Sequence, residues 1–203
     1  MFLEEIKIIE GGARNKLPII STPRLTLRSI QLEDISQEYI DWLNSESVSQ
    51  YLETRFSYPH TKNSVEIYVT NMLNSKDDKH FGIYDSDDAR LIGTVTFPAS
   101  LYNSHHLTAG VSYVIGHNEA QGLGYATEAL MGAIHYMFMY RGIEKIWAYY
   151  YEDNIASAKV LQKNGFKVEG TLINQLINKD GDRTNQVIAG LLLEDYLSSN
   201  STS

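Results

Sequence analysis

Apolar and polar positions along the chain change period several times, and each change marks an element. After Pro23, Leu25-Thr26-Leu27-Arg28 alternates as a half-buried strand does. From Glu33-Asp34 the period lengthens. Ile35, Tyr39, Trp42 and Leu43 recur at i, i+4, i+7 and i+8, which predicts an amphipathic helix. A second short helix is expected over Ser47 to Tyr51, and beyond Pro59 a third opens at Thr61, carrying Val65, Tyr68, Val69, Met72 and Leu73. Phe81–Tyr84 and Leu91–Phe97 read as strands, and the polar turn Asp85-Ser86-Asp87-Asp88 between them predicts an antiparallel hairpin. Residues 98–106 read as a loop, 107–115 as a strand rich in β-branched and aromatic residues, and Gly116 as its stop. From Gly124 the period becomes helical: Ala126, Leu130, Ala133, Ile134, Met137 and Phe138 form one stripe, ended by Arg141-Gly142.

Lys145–Tyr151 is apolar on both faces, as a strand covered on both sides should be. The strand–helix–strand order predicts that it lies parallel to the strand at 107–115. A helix from about Asn154 to Asn164 stops at Gly165, and strands near 167–176 and 186–193 flank the turn Lys179-Asp180-Gly181-Asp182. The pattern predicts one α+β domain over residues 17–195, a mixed sheet flanked by helices. Residues 1–16 form an extension, with a short strand around Ile6 and Ile8, and the polar tail 196–203 is expected to be disordered.

Composition narrows the class. A length of 203 residues suits one well-buried domain. No apolar run approaches 18 residues, so no membrane span is expected, and the acidic N-terminus lacks the basic-then-apolar pattern of an export signal. The chain has no cysteine, which rules out disulfides and a thiolate nucleophile, and a cytoplasmic location is the expectation. A net charge of −8 disfavours nucleic acid, which needs clustered Lys and Arg, and leans toward a neutral or cationic partner.

Gly122 and Gly124 stand just before the long helix. A helix N-terminus offers free N–H groups and a positive dipole end, and glycines let the chain approach closely, so the place suits a phosphate or pyrophosphate. Two rival phosphate loops fail on spacing. No Lys follows Gly124 as a Walker loop requires, and Thr127 stands where a dinucleotide fingerprint needs its third Gly or Ala. A tight turn that merely caps a core helix is the plain alternative. Gln121-Gly122-Leu123-Gly124-Tyr125-Ala126 resembles the Gln/Arg-x-x-Gly-x-Gly/Ala motif of the GNAT acyl-CoA N-acyltransferases, and the longer run through Leu130 resembles the branch containing the ribosomal-protein alanine acetyltransferases. Asn154-x-x-Ser157, an apolar-rich helix, Lys163-x-Gly165-Phe166 and Glu169-Gly170 match a second motif of that branch.

The resemblance covers roughly residues 20–195 and implies the GNAT fold, with transfer of an acetyl group from acetyl-CoA to a primary amine. It implies that Gln121, Gly122, Leu123, Gly124, Tyr125 and Ala126 hold the pyrophosphate, with Asn154 and Ser157 also on the coenzyme. Backbone N–H groups near Val114 and Ile115 would receive the thioester oxygen if the strand splays there. Asn154 also stands where a helix begins and is among the best N-caps, so capping and binding are both open.

Two departures matter. The family's tyrosine acid, seven residues after the Asn, is here Leu161, which leaves Ser157 as the candidate catalytic hydroxyl beside the sulfur. The Glu common at the start of the central strand is here Gly110, so no base is carried over and water is the expected proton acceptor. His105 and His106 could reach an amine, but such a pair commonly lies in a loop, and no metal-ligand spacing occurs, so no metal is expected.

The segments Trp42-Leu43-Asn44 and Tyr51-Leu52-Glu53-Thr54-Arg55-Phe56 resemble GNAT enzymes of surface-sugar biosynthesis, which makes Trp42, Glu53 and Arg55 candidate acceptor-binding residues. The acceptor expected is a small-molecule amine such as an amino sugar. A protein N-terminus, or a non-catalytic acyl-CoA-binding module, is the alternative. The protein is expected to be a monomer or homodimer.

Overall fold

A computed structural model describes residues 5–10, 17–52, 56 and 59–200. It contains β1 (Lys7–Ile9), β2 (Ile19–Ser21), β3 (Leu25–Ser29), α1 (Gln37–Asn44), α2 (Glu46–Ser49), α3 (Lys62–Asn74), β4 (Lys79–Asp85), β5 (Leu91–Phe97), β6 (Tyr102–Asn103), β7 (Thr108–Gly110), β8 (Ser112–Ile115), α4 (Tyr125–Arg141), β9 (Lys145–Tyr151), α5 (Ile155–Lys163), β10 (Lys167–Ile177), β11 (Arg183–Leu192) and α6 (Leu193–Asn200). The strands form two sheets, ordered β1-β2-β3-β4-β5-β8 and β10-β11-β9-β7-β6.

The strand expected at 107–115 is divided at Val111. Its first part, β7, pairs parallel with β9 from Thr108↔Lys145 to Gly110↔Trp147. Its second part, β8, pairs antiparallel with β5 from Ser112↔Thr96 to Ile115↔Gly93. The predicted parallel neighbour of β9 therefore exists only over three residues, after which the chain crosses to the other sheet. Residues 98–106 also hold the short strand β6, which pairs with β7.

Side-chain alternation gives each face of the strands a separate core. Leu25, Leu27, Phe81, Ile83 and Val95 pack against Leu130, Ala133, Ile134 and Met137 of α4. Leu130, Ile134 and Met137 are at most 1% exposed, and each fully buried side chain of this size contributes about 1.5–3 kcal/mol. The opposite face, with Ile30, Leu91 and Val114, packs under Tyr39, Ile40, Trp42, Val65 and Val69 of α1 and α3.

The first helix starts later than the periodicity suggests. Leu32–Asp34 make a 3-10 turn, and α1 begins at Gln37 after the cap Ser36, whose side chain accepts from the Tyr39 N–H. Asp34 is occupied elsewhere: it accepts two 2.8 Å bonds from Arg28, one from the Gln31 N–H and one from the Tyr84 phenol. Burial pushes this carboxyl up, but the donors outweigh burial and hold it below its ordinary value. At the C-terminus, α6 runs through Asn200 with Tyr196 buried, so the tail read as beginning at 196 is helical for five residues more. Tyr196 donates or accepts at His135 Nδ1, 2.8 Å away, which fastens that helix to α4.

Candidate active site

The opening between β8 and β9 is set by hydrogen bonding. The Val111 N–H still donates to Trp147 O at 2.9 Å, the last rung before the strands part. Beyond it β8 follows β5, and among the described residues no strand pairs with its other flank. The Gly116 N–H donates to Ile92 O at 2.9 Å, so Val114, two residues back, also turns its backbone to β5, opposite Thr94. Tyr113 and Ile115 point their backbone groups the other way, into the opening. Gln121 confirms the direction, since its Nε2 reaches Ile115 O at 3.1 Å. Of the two expected oxyanion donors, the Ile115 N–H faces the opening. Val114 is corrected: its backbone belongs to the β5 ladder, and its side chain packs with α1–α3.

The glycine loop stands at the end of β8. Gly124 caps α4 at φ 85° and Gly122 has φ 76°, conformations that side-chain-bearing residues rarely adopt. A Cβ at Gly122 would meet nothing within 4 Å, so the loop's outer side is open. Glu128 is the first residue of the helix to donate back, to Gly124 O, and the N–H groups of Tyr125, Ala126 and Thr127 have no carbonyl one turn behind them in the helix.

Arg24 is a member of this site that the periodicity gave no means of finding. Its Nε lies 2.7 Å from Glu128 Oε2, Nη1 donates to Leu123 O at 3.1 Å, and the guanidinium stands 4.5 Å from the Tyr125 ring centre. Glu128 also accepts from Thr22 Oγ1 at 2.7 Å and from the Arg24 N–H at 2.8 Å. The start of β3 is thereby tied to the first turn of α4. The only trace in the sequence is an arginine after Pro23, which has no regular spacing to the loop.

Across the opening, Asn154 caps α5 by accepting from the Ser157 N–H at 3.0 Å. Ser157 Oγ lies 2.8 Å from the phenol oxygen of Tyr113, which also stands 3.2 Å from Ser157 O. Tyr113 was missed because an alternating strand position carries no functional mark. Burial pushes its phenol up to about 12, against the hydrogen bond with Ser157, which acts the other way. Leu161, at the family's tyrosine position, is 2% exposed and belongs to the core. Gly110, at the family's glutamate position, has no room for one: a Cβ there would meet Leu101 at 2.8 Å.

On the α1–α3 side Trp42 is 6% exposed, its ring tilted 34° against that of Tyr39 and pressed on Gly116, where any Cβ would collide with the indole. It is a core residue, which corrects its assignment to the acceptor. Glu53 and Arg55 lie outside the described residues. The same side presents His80, Thr96 and Ser112 directly opposite one another on three successive strands. His80 Nδ1 is 2.7 Å from Thr96 Oγ1, and burial lowers the imidazole to about 4 despite Asp78 nearby, so it is neutral.

His105 and His106 are exposed, and their N–H groups donate to Asn103 Oδ1 in a turn. Among the described residues no group of three His, Asp or Glu is placed to hold a metal, and no helix is long and apolar enough to cross a membrane.

Two cavities lie away from the strand split. One, of about 260 Å³, sits by Lys79, His80 and Arg141 at the far end of α4. The other, of about 520 Å³, lies between α2 and the β10–β11 turn, where Lys179 stands 3.7 Å from Glu46. Neither touches the glycine loop, so the split and the loop, rather than a closed cavity, define the site.

A strand that leaves its parallel neighbour, a glycine loop beside its free edge and a capped helix across the gap are the features of an acetyltransferase of the GNAT class. The chain belongs to that family: residues 24–167 match the acetyltransferase (GNAT) domain. It is 31% identical over 156 residues to YoaA of Bacillus subtilis, an uncharacterized N-acetyltransferase, covering 76% of this chain and 86% of that one. It is 33% identical over 117 residues to the ribosomal protein uS5 alanine N-acetyltransferase of Escherichia coli, 58% of this chain and 59% of that one. Its fold matches the spermidine N-acetyltransferase of Vibrio cholerae, solved with CoA and spermine, at a TM-score of 0.74 and 23% identity over 85% of this chain and 98% of the other. The ribosomal-protein-S5-alanine acetyltransferase of Vibrio fischeri matches at a TM-score of 0.74 and 20% identity over 88% and 98%.

Proposed function

We propose that this acetyltransferase takes its acetyl group from acetyl-CoA and passes it to a primary amine of a small molecule, such as an amino sugar, by direct attack in a ternary complex. The observation that carries the reading is the free flank of β8 lying beside the glycine loop. An extended pantetheine can pair with the exposed Tyr113 and Ile115 backbone as a strand would, while the pyrophosphate meets Gln121 and the N–H groups of Gly122–Ala126. Arg24 adds a positive charge beside that loop.

In the reaction the thioester oxygen gains charge and is received by the Ile115 N–H, which faces the opening. The leaving sulfur lies beside Ser157. Asn154 contributes by holding the first turn of α5 in place. No carboxylate stands at Gly110, so the amine sheds its proton to water, and rate comes mainly from positioning. The acceptor approaches from the side of exposed Ser112, whose hydroxyl suits a hydroxylated amine. Glu53 and Arg55 remain its proposed partners from the sequence.

A protein N-terminus is the second reading, favoured by the similarity to the uS5 alanine N-acetyltransferase. Free-thiol release from acetyl-CoA against amino sugars, polyamines and short peptides tests both. Release with an amino sugar supports the first reading, release with peptides alone replaces it with the second, and binding without release from any amine favours a non-catalytic module.

A further inference from the structure

The contact between Tyr113 and Ser157 carries a consequence for the leaving group, and it rests on the reading of Ser157 as the sulfur's neighbour. We propose that Tyr113 is a positioning residue for that serine: its phenol donates to Ser157 Oγ, so that the serine's own hydrogen is turned away from β8 and toward the departing sulfur.

The two oxygens are 2.8 Å apart, an ordinary O–H···O distance. Only one hydrogen can lie between them. A phenol is the more acidic hydroxyl and the better donor, so the serine accepts from it and keeps its own hydrogen for another partner. The Ser157 carbonyl, 3.2 Å from the phenol oxygen, can only accept and so competes for the phenol's one hydrogen, but the contact to Oγ is 0.4 Å shorter and takes it. Burial keeps the phenol protonated through the neutral range, with Tyr150 adding to that effect, so the donor is always loaded.

The pair also spans the opening. Tyr113 is fixed in β8, opposite Val95, while Ser157 is fixed by the cap at Asn154 on the other bank. The family's tyrosine site on α5 is filled by the buried Leu161, so the second hydroxyl comes from the strand instead of the helix.

The chemistry balances without a proton leaving Tyr113. The neutral amine attacks the carbonyl carbon, the C–N bond forms, the C–S bond breaks and sulfur keeps the electron pair. The proton shed by nitrogen goes to water. The thiolate is met by the hydrogen of Ser157, polarised by the phenol behind it.

Coenzyme A with its free thiol tests this without an acceptor. Thiolate absorbance of the bound coenzyme is titrated, against the same protein carrying desulfo-coenzyme A. The bound thiol is expected to titrate about one pH unit below free coenzyme A, a tenfold preference for thiolate. Tyr113→Phe and Ser157→Ala should each remove most of that drop, and the double variant should equal Ser157→Ala, because the phenol acts through the serine. Coenzyme A affinity and Tm of Tyr113→Phe should stay near those of the unsubstituted protein.

If Tyr113→Phe titrates like the unsubstituted protein while Ser157→Ala does not, Tyr113 only packs and the proposal falls alone. Additive effects overturn it equally, since they give Tyr113 a separate action. If Ser157→Ala has no effect although coenzyme A binds, the placement of Ser157 at the sulfur falls and takes this proposal with it. Failure of coenzyme A to bind at all overturns the proposed function.

Discussion

The half of the molecule formed by β8, α4, β9 and α5 and the half formed by α1–α3 are built on different rules. In the first, backbone groups do the presenting: a free strand flank, first-turn N–H groups and glycines at positive φ. In the second, the aromatic residues that look most like a binding surface are packing. Tyr39 and Trp42 have ring centres 4.7 Å apart and are 3% and 6% exposed, and the indole fills the space over Gly116. A site made of backbone geometry leaves a readable trace, because few sequences permit the geometry. Aromatic residues at helical spacing leave the same trace whether they bind or pack.

Trp42→Ala separates the two rules most strongly. As a core deletion it should lower stability by about 3–5 kcal/mol, read by chemical denaturation, with acceptor KM unchanged in whatever fraction folds. A variant of normal stability with a raised acceptor KM would return Trp42 to the acceptor site.

The next largest effect lies on the sheet face of the same half. An unfolded histidine titrates near its ordinary 6.5, whereas buried His80 titrates near 4. Between those values the unfolded chain carries a proton that the folded chain refuses. The contribution is therefore whole above pH 6.5 and is lost as pH falls, amounting to about 3 kcal/mol by pH 4. Denaturation of the unsubstituted protein and of His80→Gln at pH 7 and pH 4.5 should show a smaller acid loss in the variant. Equal losses would mean that His80 charges freely in the folded state.

Much of the fold was legible in advance. The hairpin of β4 and β5 and the span of α4 follow directly from period and punctuation, because side-chain burial dictates both. The break at Val111 was not legible as a position: residues 107–115 keep one unbroken β pattern, and only the competing ladders of β5 and β9 decide where the strand changes sheets. The same limit hid Tyr113, whose alternating place looks like any core tyrosine until α5 brings Ser157 to it. It also left Val114 and Ile115 undistinguished, since which N–H faces the opening depends on register. Arg24 was hidden by distance along the chain, 104 residues from Glu128.

In the half formed by β8, α4, β9 and α5, the proposed role of Ser157 predicts that Ser157→Ala lowers kcat about tenfold while leaving acetyl-CoA KM within about twofold, as losing one hydrogen bond to a developing charge would. A raised KM at constant kcat would make the serine a binding contact in both ground and transition states.

Arg24→Ala is expected to have the smallest effect and to say most about how β3 meets the glycine loop. Arg24 is 46% exposed at its side chain, so its ion pair with Glu128 is largely screened and contributes at most about 1 kcal/mol to stability. Its other contacts, the Leu123 carbonyl and the Tyr125 ring, hold the glycine loop against β3. If the loop receives a pyrophosphate, removing Arg24 both loosens the loop and takes away a nearby charge. Acetyl-CoA KM should then rise about three- to tenfold, and the rise should shrink in high salt as the charge term is screened. A rise that salt does not change would leave Arg24 as a clamp on the loop and nothing more. An unchanged KM would show that Gly122 and Gly124 hold their conformation unaided, and that this half is set by its own backbone without help from β3.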